Sequence, residues 1–139
     1  MISFIIPGEP KGKGRPRMST KTGRAFTPKD TLSYENLVKS RYWSCIGEKK
    51  LEGEIRAFIT CYYKIPKSIS KAKRELMLDD KLRPTKKPDL DNIAKVVLDS
   101  LNGIAFSDDA QVVELIIKKY YGEQPLVKVE LEEIENERI

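Results

Sequence analysis

Two short acidic segments carry the chemistry in this sequence: Lys87-Pro88-Asp89-Leu90-Asp91-Asn92 and Ser107-Asp108-Asp109-Ala110. Asp89 and Asp91 stand two apart where a loop becomes a helix, and a still-extended backbone there points both carboxylates in similar directions. The 107–110 segment is expected to open the strand after that helix, so the two segments can meet at one end of a sheet. Three carboxylates with open water positions make a hard-oxygen site suited to Mg²⁺, with Mn²⁺ as substitute. Phosphodiester hydrolysis calls for such a site. Negative charge must be neutralised, a water deprotonated near neutral pH and the leaving oxygen stabilised, all of which a bound divalent ion does.

The residue that is missing narrows the chemistry further. The chain has no histidine, which excludes Ser/His and Cys/His pairs, an imidazole base and an ordinary zinc site. Lys95 lies one helical turn after Asp91, and Asp99 one turn after Lys95, on the same face. Lys95 can reach a scissile phosphate or orient a water while Asp99 holds its ammonium group. The same three residues also read as an exposed salt-bridge ladder of little energetic weight. Asp91 reads equally as a helix cap, and Asp108 and Asp109 as turn residues.

The net charge of +5 and pI near 9.1 point toward a polyanion, and the distribution says more than the sum. Lys11, Lys13, Arg15, Arg17, Lys21, Arg24 and Lys29 crowd the N-terminal third. A second basic set runs from Lys64 to Lys86 and Lys87, stopping just before the paired aspartates, and the sign reverses at Glu130, Glu132, Glu133, Glu135 and Glu137. Lys11, Lys13, Arg15, Arg17, Lys86 and Lys87 are the expected DNA contacts; simple solubilising charge is the alternative.

The length suits one domain over residues 1–139. Residues 1–6 read as a strand, and Gly8 to Thr27 as an extended or mobile basic loop. Thr27-Pro28 then caps a helix to about Ile46, with Tyr34, Leu37, Val38, Tyr42, Cys45 and Ile46 on one stripe. Residues 54–65 alternate as a strand, and Ser70–Leu78 can form a short helix. A further helix from about Asp89 buries Leu90, Ile93, Ala94, Val97, Leu98 and Leu101 and closes at Asn102-Gly103. Gln111–Tyr120 and Leu126–Glu133 read as an antiparallel hairpin. The order β-α-β-(α)-α-β-β defines an α+β fold, a mixed sheet packed against helices. Cys45 and Cys61 are expected as buried thiols in a reducing compartment. No signal peptide and no membrane span are read, so the cytoplasm is the expected location.

With these residues in view, the sequence resembles the RusA-type Holliday junction resolvases. The resemblance is carried by Pro88-Asp89-Leu90-Asp91-Asn92, Lys95, Leu98-Asp99-Ser100-Leu101-Asn102-Gly103 and Asp108-Asp109-Ala110-Gln111-Val112. These follow the family pattern D-L-D-N … K … D-A-L … D-D-A-Q-V over about residues 88–113. Gly14-Arg15-Pro16-Arg17 and Tyr34-Glu35 are similar to another segment of many members, whereas Lys11 to Arg24 does not resemble the best-studied branch. The resemblance implies a homodimeric, metal-dependent endonuclease that nicks four-way DNA junctions symmetrically, in recombination and repair. It places the catalytic, metal-binding aspartates at Asp89, Asp91 and Asp109 and the essential lysine at Lys95, with Asn92, Asp99 and Asp108 in support. Asp108 is expected to face away from Asp109 along an extended strand. A non-catalytic nucleic-acid-binding protein, a phosphatase, or a nuclease acting on flaps, other branched DNA or RNA are the alternatives.

Overall fold

In the strand Ile55–Lys64, apolar side chains at every second position turn one face into a core and leave the other to solvent. Ile55, Ala57, Ile59, Cys61 and Tyr63 are buried, while the residues between them are half-buried. The computed structural model describes residues 1–135; Glu137 of the acidic C-terminus lies outside them. Its elements are β1 (Ile2–Pro7), β2 (Arg17–Met18), β3 (Ala25–Phe26), α1 (Lys29–Cys45), β4 (Ile55–Lys64), α2 (Lys71–Leu78), α3 (Leu90–Leu101), β5 (Val112–Gly122) and β6 (Leu126–Glu133). The fold is α+β, as expected. Among the described residues no helix is long and apolar enough to cross a membrane.

The main sheet has the order β1-β6-β4-β5. β6 runs antiparallel to both β1 and β4, and β5 runs parallel to β4. β1 and β6 contribute Ile2, Phe4, Ile6, Val127, Val129 and Leu131 to the same face as the buried row of β4, and α1 and α3 supply the other half of this core. Each fully buried Val, Leu or Ile contributes roughly 1.5–3 kcal/mol. α3 holds Ile93, Ala94, Val97 and Leu101 inward, with Val96 and Ser100 also buried; Leu90 and Leu98 are only half-buried.

The structure corrects several expectations. β5 and β6 are not a hairpin: β4 lies between them, and the chain steps over the end of β4, where the Ile65 amide donates to the Gly122 carbonyl. β6 alternates strictly and buries its apolar row fully only between two strands, whereas β5 is exposed along much of its length. Cys45 is exposed at the end of α1, and only Cys61 is buried. Pro28, not Thr27, is the residue before α1, with no side-chain cap. The segment from Gly8 to Thr27 is extended, as expected, but parts of it are docked on the fold. Pro10 is buried, the Lys13 amide donates to the Asn92 carbonyl at 3.1 Å, the Gly14 amide donates to Thr31 Oγ1 at 2.8 Å, and residues 17–26 form the β2–β3 ribbon. The part from Lys11 to Pro16 is a basic strap drawn between the first turns of α1 and α3.

Candidate active site

α3 positions most of the acidic residues, and its start is built from below. Tyr63 Oη, rising from the core face of β4, donates to the Pro88 carbonyl at 2.8 Å. Lys119 Nζ donates to the Lys86 carbonyl at 2.7 Å. The approach to Asp89 is thus propped from two strands. Asp89 takes the extended N-cap position of α3, yet its side chain makes no capping hydrogen bond. Most aspartates at this position satisfy a helix amide; this carboxylate is exposed and open to another partner.

Asp91 and Lys95 follow on the exposed side of α3, one turn apart. The expected Lys95–Asp99 pairing is not formed. Asp99 instead accepts from Lys13 Nζ of the strap at 2.5 Å, both side chains about one-third exposed. That hydrogen bond holds the Lys13 ammonium above its ordinary range, with the Asp99 charge adding to it. Lys95 has no ion-pair partner among the described residues.

Asp109 opens a single 3₁₀ turn, Asp109–Gln111, rather than the strand itself. Asp108 caps that turn through the Ala110 amide, and Gln111 Oε1 accepts from the Asp108 amide at 3.1 Å. The turn overturns the expectation that Asp108 faces away from Asp109. Partial burial raises the Asp109 carboxyl above the usual carboxylate range, and the nearby Asp108 and then Asp99 carboxylates raise it further. The Asp109 amide donates to Asn102 Oδ1 at 2.8 Å, which ties the turn to the end of α3.

Two adjoining depressions bring the candidates together. One, about 600 Å³, is lined by Lys13, Arg15, Asp89, Asp91, Lys95 and Asp99. The next, about 400 Å³, shares Asp91, Lys95 and Asp99 and adds Asp109 with an apolar wall of Ala94, Leu98, Leu115 and Ile117. Lys87 borders a smaller hollow beside Gly12, Pro88, Asp89 and Asn92. Lys11 lies apart, in a hollow beside Asp30 and Tyr34 of α1. Arg17 is exposed on the ribbon, and Lys86 is exposed 5.8 Å from the Tyr63 ring. Another depression of about 600 Å³, at the far end of the sheet near Arg56 and Glu132, shares no residue with these.

The donor set is all carboxylate, and the crowding of Asp99, Asp108 and Asp109 favours a cation. In chemistry the residues fit a hard divalent ion. As placed, however, no three His, Cys, Asp or Glu side chains among the described residues are grouped closely enough to hold one. The strap was the part of this site that local spacing missed. Its signal is Gly12 and Gly14 on either side of Lys13: a Cβ on Gly12 would lie 2.9 Å from Asn92 Cβ, and one on Gly14 would lie 2.6 Å from Thr31 Oγ1.

A carboxylate-lined depression rimmed by lysine and arginine has the residue types that phosphodiester cleavage uses, and the family of the chain specifies which such enzymes it resembles. The chain belongs to the family of the endodeoxyribonuclease RusA, whose pattern matches residues 7–132. It is also 37% identical over 140 residues to the uncharacterized protein YqaN of Bacillus subtilis (strain 168), covering 96% of each chain.

Proposed function

We propose that this endodeoxyribonuclease-family chain resolves four-way DNA junctions by paired nicks, depends on Mg²⁺ or Mn²⁺, and works as a homodimer. The observation that carries the reading is that Asp89, Asp91 and Lys95 share one depression with Lys13 and Arg15 of the strap. Carboxylates for an ion and cations for a phosphate backbone border the same surface.

Asp89, Asp91 and Asp109 are the residues that would hold the metal. A bound divalent ion would lower the pKa of an attacking water and offset charge on the phosphoryl and leaving oxygens, and the three carboxylates would have to draw closer together to hold it. Lys95, one turn from Asp91 and without an ion-pair partner among the described residues, meets the scissile phosphate. Arg15, Arg17, Lys86 and Lys87 neutralise flanking phosphates, and Lys11 extends that contact toward α1. Lys13 keeps Asp99 from adding an unpaired negative charge beside Asp109. Asn92 anchors the strap through its carbonyl, and Asp108 caps the turn that presents Asp109. One chain offers a single set of these residues, while a symmetric resolution needs two cuts, so a two-fold dimer matches the approximate symmetry of an open junction.

The test is cleavage of a four-way junction against linear duplex, single strand and RNA of equal length, in Mg²⁺ and in excess chelator. Selective, chelator-sensitive nicking at symmetric positions is expected, with Ca²⁺ supporting binding but little cutting. Binding without cutting would establish a non-catalytic protein. Equal cleavage of linear duplex or RNA, or full activity in chelator, would overturn the substrate or the metal.

A further inference from the structure

The sheet has two edges, and the fold treats them differently. At β1 the outer side is short, ends at Pro7, and is met by Arg41 Nε, which donates to the Ile5 carbonyl at 3.0 Å. β5 has eleven residues, and among the described residues the hydrogen bond to its outer side comes only near its far end, where Arg83 Nε donates to the Lys119 carbonyl at 2.8 Å. Before that point Val113, Leu115 and Ile116 are 55%, 41% and 40% exposed. A long, apolar, unpaired edge is one that soluble monomers ordinarily blunt with charge, proline or a covering segment.

We infer that the stretch Glu114–Lys118 of β5 is the seam of the homodimer, pairing antiparallel with the same stretch of a second copy. The inference deepens the dimeric reading above and rests on it. Backbone groups alternate sides along a strand, so Leu115 and Ile117 share the outward orientation of Lys119, whose carbonyl is turned to the free side. Placing the two-fold axis at Ile116 makes Leu115 and Ile117 of the second copy a hydrogen-bonded pair, repeated by symmetry. The same axis sets Glu114 opposite Lys118 of the second copy, in the non-hydrogen-bonded positions where side chains come closest.

Neighbouring registers are worse. An axis at Glu114 or Lys118 puts like charges face to face, and one at Leu115 leaves both charges opposite apolar residues. An axis at Ile117 draws in Lys119, whose carbonyl is already held by Arg83. Lys118 has no ion-pair partner among the described residues, and Glu114 is paired with Arg56 on the side toward β4. Leu115 and Ile117 also form the apolar wall beside Asp91 and Asp109, so the second copy covers that wall and closes the site on its dry side.

The experiment uses the full chain with Cys45→Ser, so that the exposed native thiol does not compete. Adding Ile116→Cys places the two thiols across the axis with Cα atoms about 4.5 Å apart, within disulfide reach. Oxidation should give a covalent dimer on a non-reducing gel that keeps its folded circular dichroism. Separately, Lys118→Glu should raise the dimer dissociation constant in sedimentation by roughly tenfold or more, and mixing it with Glu114→Lys chains should restore association. A dimer that ignores Lys118→Glu and does not cross-link at 116 would overturn the seam while leaving the dimeric reading intact. Sedimentation as a monomer, alone and on junction DNA, would overturn both, and neither result depends on whether the protein cuts.

Discussion

Gly12→Ala tests how the strap is held. Gly12 lies where the strap crosses the start of α3, and an added methyl would stand 2.9 Å from Asn92 Cβ and 3.1 Å from Pro88 Cβ. Carbon atoms prefer about 3.5–4.0 Å, so strap and helix must separate by several tenths of an ångström or more. Overpacking of this kind costs about 1–3 kcal/mol. An independent bound comes from releasing the strap altogether, which forfeits the Lys13–Asn92 and Gly14–Thr31 hydrogen bonds at about 0.5–1.5 kcal/mol each. Both routes give a similar figure. Against it, Gly→Ala stiffens the unfolded chain and stabilises by about 0.4–1 kcal/mol where there is room. The sign therefore reports the geometry: the variant should be destabilised by about 0.5–2 kcal/mol. It should also lose junction affinity, because Lys13 and Arg15 no longer line the depression. Gly23→Ala is the control, since Gly23 has φ +68° with open space around it; it should cost about 1–2 kcal/mol from backbone strain alone and leave affinity unchanged. Urea melts and gel-shift titrations in Ca²⁺ measure both quantities. A Gly12→Ala protein as stable as the parent or more so, with unchanged affinity, would refute the docked strap.

Three further outcomes are expected. Asp91→Asn and Asp109→Asn should each abolish single-turnover cleavage in Mg²⁺ while leaving junction affinity in Ca²⁺ unchanged or tighter, since each removes negative charge beside the DNA; Lys95→Ala should also stop cutting, with only a small binding loss. Neutralising Arg15 and Arg17 together should weaken binding and flatten its logarithmic salt dependence by up to about 2, and an unchanged slope would place those side chains away from phosphate. Cys45 should react with a thiol reagent at once and Cys61 only on unfolding, because burial pushes the Cys61 thiol up to about 12. The folded form keeps that proton while the unfolded chain loses it, so its contribution to stability is complete below about pH 9 and declines as pH rises toward 12; a denaturation midpoint that stays flat across that interval would contradict it.

What the sequence made legible was local. The 3.6-residue spacing of α3 and the alternation of β4 are properties of neighbouring residues, and both elements stand where those patterns put them. The acidic segments were legible for the same reason, since Asp89 and Asp91 sit on one helix start. Asp99 was assigned to Lys95 because an i,i+4 rule sees only one helix, whereas its partner Lys13 is 86 residues away. The position of β6 between β1 and β4 was illegible on similar grounds, because the turn at Glu123–Pro125 looks the same whether the chain folds back beside β5 or steps over β4. The turn at Asp109 could have been read: Asp108-Asp109-Ala110-Gln111 has the spacing of a capping box, which bends the chain where an extended strand was expected.

The pairing of β1 with β6 also sets an order of events during synthesis. The strap that carries Lys13 and Arg15 leaves directly from β1, and β1 has no other strand neighbour in the sheet than β6, which is the last of the described strands to be made. A nascent chain can form α1, β4 and α3 and display Asp89, Asp91 and Asp109, but β1 finds its sheet partner only after Leu131 has left the ribosome. Contacts between sequence-distant segments form slowly. The Gly8 amide's bond to the Pro125 carbonyl, which fixes the root of the strap at the end of β1, therefore forms late, after the strap's seats on Thr31 and Asn92 have been made.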